Sequence, residues 1–230
     1  MHDFGKITYL DLHKTGSTFI SAFLESCCTL PQIKFEKHDW IREDYEPDCF
    51  YFISIRNPHD MWSSLYRYGL DKKGSVYHQL NKTAKLSQYE SFNKFVDFCL
   101  DEDNADLLGY GYNREISKHI GFMSYRFLKL SLQFPMEKIM QCISMDLSLS
   151  TLEKKFITKL EIKNEKLNQE ITRLSLELFP QYFDGAKVQI FMKNNLRIND
   201  SKTVLSELDV LKGDTLKFMH RKEWLLQSRY

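Results

Sequence analysis

The chain has 230 residues, enough for one domain or one domain with a small appendage, and its 43% hydrophobic content is ample for a buried core. Lys and Arg number 32 against 31 Asp and Glu, a net charge of +1, which excludes the broad basic field of a protein that coats nucleic acid and leaves only a local positive patch for an anionic ligand. The five cysteines, two of them adjacent at Cys27 and Cys28, form neither an evenly spaced disulfide framework nor a CxxC or Cys/His metal spacing, and so point to a reducing compartment.

Met1 to Lys6 lead directly into a first strand, with neither a signal-peptide profile nor an apolar run long enough to span a bilayer. Ile7 to Leu12 alternates apolar and polar side chains as a half-buried strand does, and from Phe19 onward the apolar positions pair at helical spacing, Phe19 with Phe23 and Ile20 with Leu24. Between them lies His13-Lys14-Thr15-Gly16-Ser17-Thr18. Glycine permits a sharp turn there, and the exposed amides of a first helical turn, with the helix dipole behind them, favour an anion. Ser17 and Thr18 add hydroxyl donors and Lys14 a full positive charge. An ATP-type loop reads GxxxxGK[ST], with lysine after the second glycine; here Lys14 precedes the only glycine, so the run is not a Walker A sequence. Taken alone, it reads equally as an ordinary capped turn from strand to helix.

Gln32 to Lys37 alternates around Ile33 and Phe35 and predicts another short strand, followed by a loop from His38 to Asp48. Phe50 to Ile55 is a nearly continuous apolar run, the pattern of a central parallel strand covered on both faces, and it stops at Arg56-Asn57-Pro58. Ligands of open α/β sheets bind at that end of the strands. Pro58 suits a helix start, and Met61, Trp62, Leu65, Tyr66 and Tyr68 give the helix one apolar side. Ser64 falls about two turns into it, spaced to close with Arg56 on one anion. The plainer alternatives are a solvated strand-end charge for Arg56 and a small packing residue for Ser64.

Gly69 to Gln88, rich in Lys, Gly, Ser, Asn and Tyr and without a period, predicts a long loop, serving as a lid or substrate contact or as a surface excursion. Ser91 is placed to cap an amphipathic helix whose Phe92, Phe95, Val96, Cys99 and Leu100 belong to the core. Asp101 to Asp106 lacks the glycine and terminal glutamate of an EF-hand and predicts a solvated loop. Ile116 to Leu132 and Glu165 to Leu178 have helical spacing. After Pro180, alternation at Val188, Ile190 and Met192 and again at Leu216 and Phe218, around a Lys212-Gly213-Asp214 turn, predicts a hairpin-like appendage closed by a helix at Arg221 to Leu226. The expected organisation is a core over 1–180 with 181–230 packed on the same domain.

Lys14-Thr15-Gly16-Ser17-Thr18 after the first strand, followed by Arg56-Asn57-Pro58 with Ser64, resembles the sulfotransferases that use 3'-phosphoadenosine 5'-phosphosulfate (PAPS), closest to their carbohydrate-modifying and bacterial branches. Gly121 to Leu128 and Lys163 to Asn168 look like internal segments of bacterial members, and the likeness covers roughly Lys6 to Leu178. Asn57 departs from the common aspartate and His13 from the common proline. The resemblance implies an α/β fold, P-loop-like and three-layered, with a central mainly parallel sheet flanked by helices. It implies that Lys14, Thr15, Gly16, Ser17 and Thr18 hold the 5'-phosphosulfate and that Arg56 and Ser64 hold the 3'-phosphate. It also implies a strand at Leu160 and Ile162, where the local pattern equally allows one long helix from Leu152. Eukaryotic Golgi relatives carry a membrane anchor, so the chain reads either as a cytoplasmic, bacterial-like protein, soluble or membrane-peripheral, or as an excised catalytic domain.

On this reading a sulfuryl group passes from PAPS to a hydroxyl of a carbohydrate or glycolipid, no metal is required, and no nucleic acid or transmembrane segment is involved. Lys14 stabilises the leaving phosphate, since positioning and electrostatics dominate such transfers. His38 is the expected general base, because it follows the Gln32 to Lys37 strand, precedes the Arg56 strand and falls where some carbohydrate sulfotransferases place a catalytic histidine. His13 adjoins the loop, Glu36 and Glu43 are alternative bases, His59 and His78 lie near the expected cleft, and Arg126 and Arg221 are further candidate anion contacts. The competing readings are a P-loop nucleotide kinase or hydrolase, which needs the other lysine order and an acidic strand end for magnesium, and a non-catalytic nucleotide-binding protein.

Overall fold

Five strands, β1 (His2–Asp3), β2 (Ile7–Leu10), β3 (Lys34–Phe35), β4 (Phe50–Ile55) and β5 (Thr158–Lys163), align in the order β3-β1-β2-β4-β5. The computed structural model describes residues 1–41, 45–132, 149–194 and 210–230. β2, β4 and β5 run parallel, with Tyr9 opposite Phe52 and Ile55 opposite Lys163, whereas β1 is antiparallel to both β2 and β3. The protein is therefore α/β with a mixed five-stranded sheet flanked by helices, in which β2, β3, β4 and β5 run one way and β1, alone of the described strands, runs against them. The reason is local. Phe4-Gly5-Lys6 is too short for a parallel crossover, and Gly5 turns the chain at φ 76 with its amide donating to Asp3 Oδ1 at 2.8 Å.

The described residues divide into two compact units, and the whole sheet lies in the first, within 1–56, 130–132 and 155–194. Every side chain of β2 is buried, so the strand is central rather than half-exposed; the polar Thr8 is accommodated by Asp3 Oδ1 at 3.0 Å and Cys49 Sγ at 3.2 Å. Against the sheet pack helices Ser17–Cys27, Leu167–Arg173 and Gly185–Asn194, in one apolar cluster that includes Tyr9, Phe19, Phe23, Phe52, Ile162 and Phe191. Burying one such aromatic contributes about 1.5 to 3 kcal/mol. β5 lies where the resemblance implied a strand and excludes one long helix from Leu152.

The second unit holds 57–129, 149–154 and 210–230 among the described residues. Asn57 caps helix Pro58–Leu70, its side chain accepting from the His59 amide at 2.9 Å, a role an aspartate would fill equally. Ser91 caps Phe92–Leu100 as expected. A buried Glu223 caps helix Phe122–Ser131, accepting from the amides of Met123 at 3.1 Å and Ser124 at 2.7 Å while Trp62 Nε1 donates to it at 3.0 Å.

Four expectations change. Gly69 to Gln88 is mostly helical: Pro58–Leu70 runs into it, Ser75–Lys82 follows and Leu86–Glu90 makes a 3₁₀ turn, because Val76 and Leu80, four residues apart, bury themselves among otherwise polar neighbours. Asp101 to Asp106 enters a 3₁₀ helix, Glu102–Leu108, anchored by buried Ala105 and Leu108. The predicted strands around Val188 to Met192 and Leu216 to Phe218 are helices Gly185–Asn194 and Gly213–Lys222. The strand predicted over Gln32 to Lys37 shrinks to the two residues of β3, with Ile33 and Phe35 exposed. The closing helix is present as Trp224–Gln227. Of the described C-terminal helices, Gly185–Asn194 belongs to the first unit and Gly213–Lys222 and Trp224–Gln227 to the second. Cys27, Cys28, Cys49 and Cys99 are free thiols, and among the described residues no helix is long and apolar enough to cross a membrane.

Candidate functional site

The turn between β2 and helix Ser17–Cys27 is built from two left-handed residues, Lys14 at φ 64 and Gly16 at φ 88. Gly16 is the helix N-cap and no side chain caps that helix, so the first-turn amides have no side-chain acceptor drawn across them and the helix dipole is open to an anion. The glycine is obligatory: a Cβ there would fall 2.8 Å from Asn164 Nδ2 and 2.8 Å from Leu167 Cδ2. Lys14 has no such excuse, and a left-handed lysine costs about 1 kcal/mol; strain of this kind persists where the surroundings over-determine it.

Those surroundings are a chain of buried hydroxyls. Thr15 is fully buried, and its Oγ1 donates to the Leu12 carbonyl at 2.8 Å. Its remaining contact, 2.6 Å to Ser54 Oγ, must therefore be one in which Ser54 donates; Ser54 in turn lies 2.6 Å from the Tyr9 hydroxyl, which donates to it. A carbonyl can only accept, so the direction Tyr9 to Ser54 to Thr15 to Leu12 is fixed. The Thr15 hydroxyl is thus occupied within the fold, and what Thr15 can offer a ligand is its backbone. Ser17 is half-buried with its hydroxyl directed to Asp11, and Thr18 is exposed.

Asp11, buried at the end of β2, faces His38. His38 Nδ1 lies 3.1 Å from Asp11 Oδ2 and 3.0 Å from the Asp11 carbonyl oxygen. His38 is left-handed at φ 59, and its ring stacks on that of His13, with centroids 3.3 Å apart and planes 25° apart. Burial works against ionising Asp11, but the hydrogen bond and charge of His38, the chain's terminal ammonium and Ser17 outweigh it and hold the carboxyl below its ordinary range.

Arg56 follows β4 and Asn164 follows β5, so the Lys14 loop, Arg56 and Asn164 leave the same, C-terminal edge of three adjacent parallel strands. That edge is where open α/β sheets hold ligands. The first unit therefore places the Lys14 to Thr18 turn and Arg56 on the loops of one sheet edge, with His13 and His38 stacked beside Asp11. Ser64 lies half-buried in helix Pro58–Leu70 of the second unit, as do His59, beside Asp60 at 3.5 Å, and His78. Arg126 is buried with its guanidinium 3.8 Å over the Tyr110 ring, and Arg221 sits 5.0 Å over Phe218. Glu36 faces Lys34 at 3.6 Å; Glu43 lies outside the described residues. Among the described residues, no three His, Cys, Asp or Glu side chains converge to hold a metal ion.

Asp11, Ser54 and Asn164 escaped the sequence reading. Asp11 was hidden as one polar position of an alternating strand, and Ser54 as a small residue in an apolar run. For Asn164 the available signal was its place directly after a strand. No family model, curated protein or solved structure matches the chain.

Proposed function

We propose that this protein is a PAPS-dependent sulfotransferase with a P-loop-like three-layer core, cytoplasmic, acting on a hydroxyl of a carbohydrate or glycolipid. The observation that carries the reading is the left-handed Lys14 in the turn before an uncapped helix, after a strand that is paired in parallel with the one Arg56 follows. The residues fit the donor: the glycine that a Cβ could not replace keeps the backbone close, and the open first turn accepts an anion.

When bound, PAPS supplies an activated sulfate whose S–O bond breaks with charge growing on a phosphate oxygen. The amides from Thr15 to Thr18 hold the 5'-phosphosulfate, and the Lys14 ammonium lies against the oxygen that gains charge. Arg56 pairs with the 3'-phosphate as a rigid bidentate donor. His38 takes the proton of the attacking hydroxyl, which leaves the acceptor oxygen free to bond to sulfur. The chain's own residues thereby cover charge neutralisation, nucleotide anchoring and proton removal.

The test compares thermal shifts with 3',5'-adenosine bisphosphate and with ATP plus magnesium. A ligand at about 100 times its Kd adds about 2.7 kcal/mol to the stability of the state that binds it, so selective stabilisation by the bisphosphate is expected. Preference for ATP overturns the proposal in favour of a kinase or hydrolase. Radiolabelled PAPS with a panel of glycans then reads turnover; binding without any transfer identifies a non-catalytic nucleotide-binding protein.

A further inference from the structure

The cluster of Asp11, His38 and His13 is more elaborate than a lone proton acceptor requires. Both groups facing His38 Nδ1, the Asp11 carboxylate at 3.1 Å and the Asp11 carbonyl at 3.0 Å, are acceptors. Nδ1 must therefore carry the hydrogen, and the neutral ring has its lone pair on Nε2. The ring's edge is fixed by these two bonds. Its face is fixed by His13 at 3.3 Å.

We infer that Asp11 and His13 are positioning residues for His38, Asp11 setting its tautomer and edge and His13 its plane, so that Nε2 is presented as a base to a hydroxyl acceptor. The chemical role rests on the sulfotransferase reading, while the geometry stands without it. In the transfer, the acceptor O–H proton moves to Nε2 as the new O–S bond forms; the S–O bond to the phosphate breaks, and its electron pair stays on the phosphate oxygen beside Lys14. The resulting His38 imidazolium is balanced by Asp11, which remains a carboxylate. Among the described residues, the terminal ammonium acts on Asp11 and Asp11 on His2; Lys34, Glu36 and Asp39 act on that ammonium, and Lys14 lies in the adjoining loop.

Ring-nitrogen NMR of the full chain with labelled histidine, without ligand, tests the geometry. The expected result is His38 as the Nδ1–H tautomer at mildly alkaline pH, with ring-to-ring cross-peaks between His13 and His38. An Nε2–H tautomer for His38, or no contact between the two rings in the wild type, overturns the inference. Steady-state kinetics test the role. Asp11→Asn should lower kcat at least tenfold with little change in KM. His13→Ala should lower kcat about tenfold, and His13→Phe, which retains a stacking face, should restore it. Equal rates for Ala and Phe at position 13 overturn the positioning role. If Asp11→Asn does not fold, the wild-type tautomer and the His13 pair still decide. An Nδ1–H tautomer in a protein that transfers no sulfate counts against the sulfotransferase reading and leaves the geometry standing.

Discussion

Lys14 and His38 are both held in the left-handed region, which disfavours any residue with a Cβ. Lys14 adjoins Thr15, which the hydroxyl chain from Tyr9 through Ser54 anchors to the Leu12 carbonyl. If it stabilises the leaving phosphate, Lys14→Ala should lower kcat by about 10² to 10³, equivalent to about 3 to 4 kcal/mol, while the affinity for 3',5'-adenosine bisphosphate falls far less. Rapid-quench transfer assays and calorimetry would read the two effects separately. At Gly16 the expectation concerns folding. A methyl group meets both Asn164 and Leu167 at 2.8 Å on a backbone of φ 88, so Gly16→Ala should cost about 2 to 3 kcal/mol, seen as a lower urea midpoint with an unchanged slope.

Among the elements, those with an unambiguous pattern were legible before the structure. β4 announced itself by an apolar run that no half-exposed strand would carry, and Ser91 by its place before five core positions of Phe92–Leu100. Gly185–Asn194 was misread because Val188, Ile190 and Met192 alternate over a stretch too short to separate a period of 2 from one of 3.6. Tertiary contact decided it: Phe191 packs edge-on against Phe19 and Phe23, each at 5.4 Å, and leaves Ile190 60% exposed. The candidate site was legible in part: Lys14 to Thr18 and Arg56, singled out by their loop motifs, follow two adjacent parallel strands at one sheet edge. It was opaque at Asp11, whose role depends on His38 arriving from 27 residues away. Glu223 was opaque for the same reason, being remote in sequence from the helix it caps. Glu223→Ala would leave the Trp62 indole and the Met123 and Ser124 amides without their acceptor and should destabilise the protein by roughly 3 kcal/mol, as equilibrium denaturation would show.

For the whole molecule, these two carboxylates predict opposite pH slopes. Asp11 is held below its ordinary 3.8, so the unfolded chain binds its proton more readily; the stability it contributes is complete above 3.8 and lost as pH falls through its folded value. Burial pushes Glu223 above its ordinary 4.5 despite the bonds from Ser124, Met123 and Trp62. Its contribution is complete below 4.5 and declines as pH rises through the folded value. Denaturation free energy against pH should therefore rise on the acid side and fall on the other. Asp11→Asn should flatten the first limb and Glu223→Gln the second, whatever either does to the overall level; parallel profiles for variant and wild type would contradict the assignment.

The one-way run of hydroxyls beneath the turn also bears on how quickly a ligand is captured. Because Tyr9, Ser54 and Thr15 tie the turn into the fold, a nucleotide held there, as proposed, would meet a seat already cast. Little ordering entropy is left to lose at the moment of contact, so capture speed should follow diffusion and ionic strength rather than any slow rearrangement of the turn.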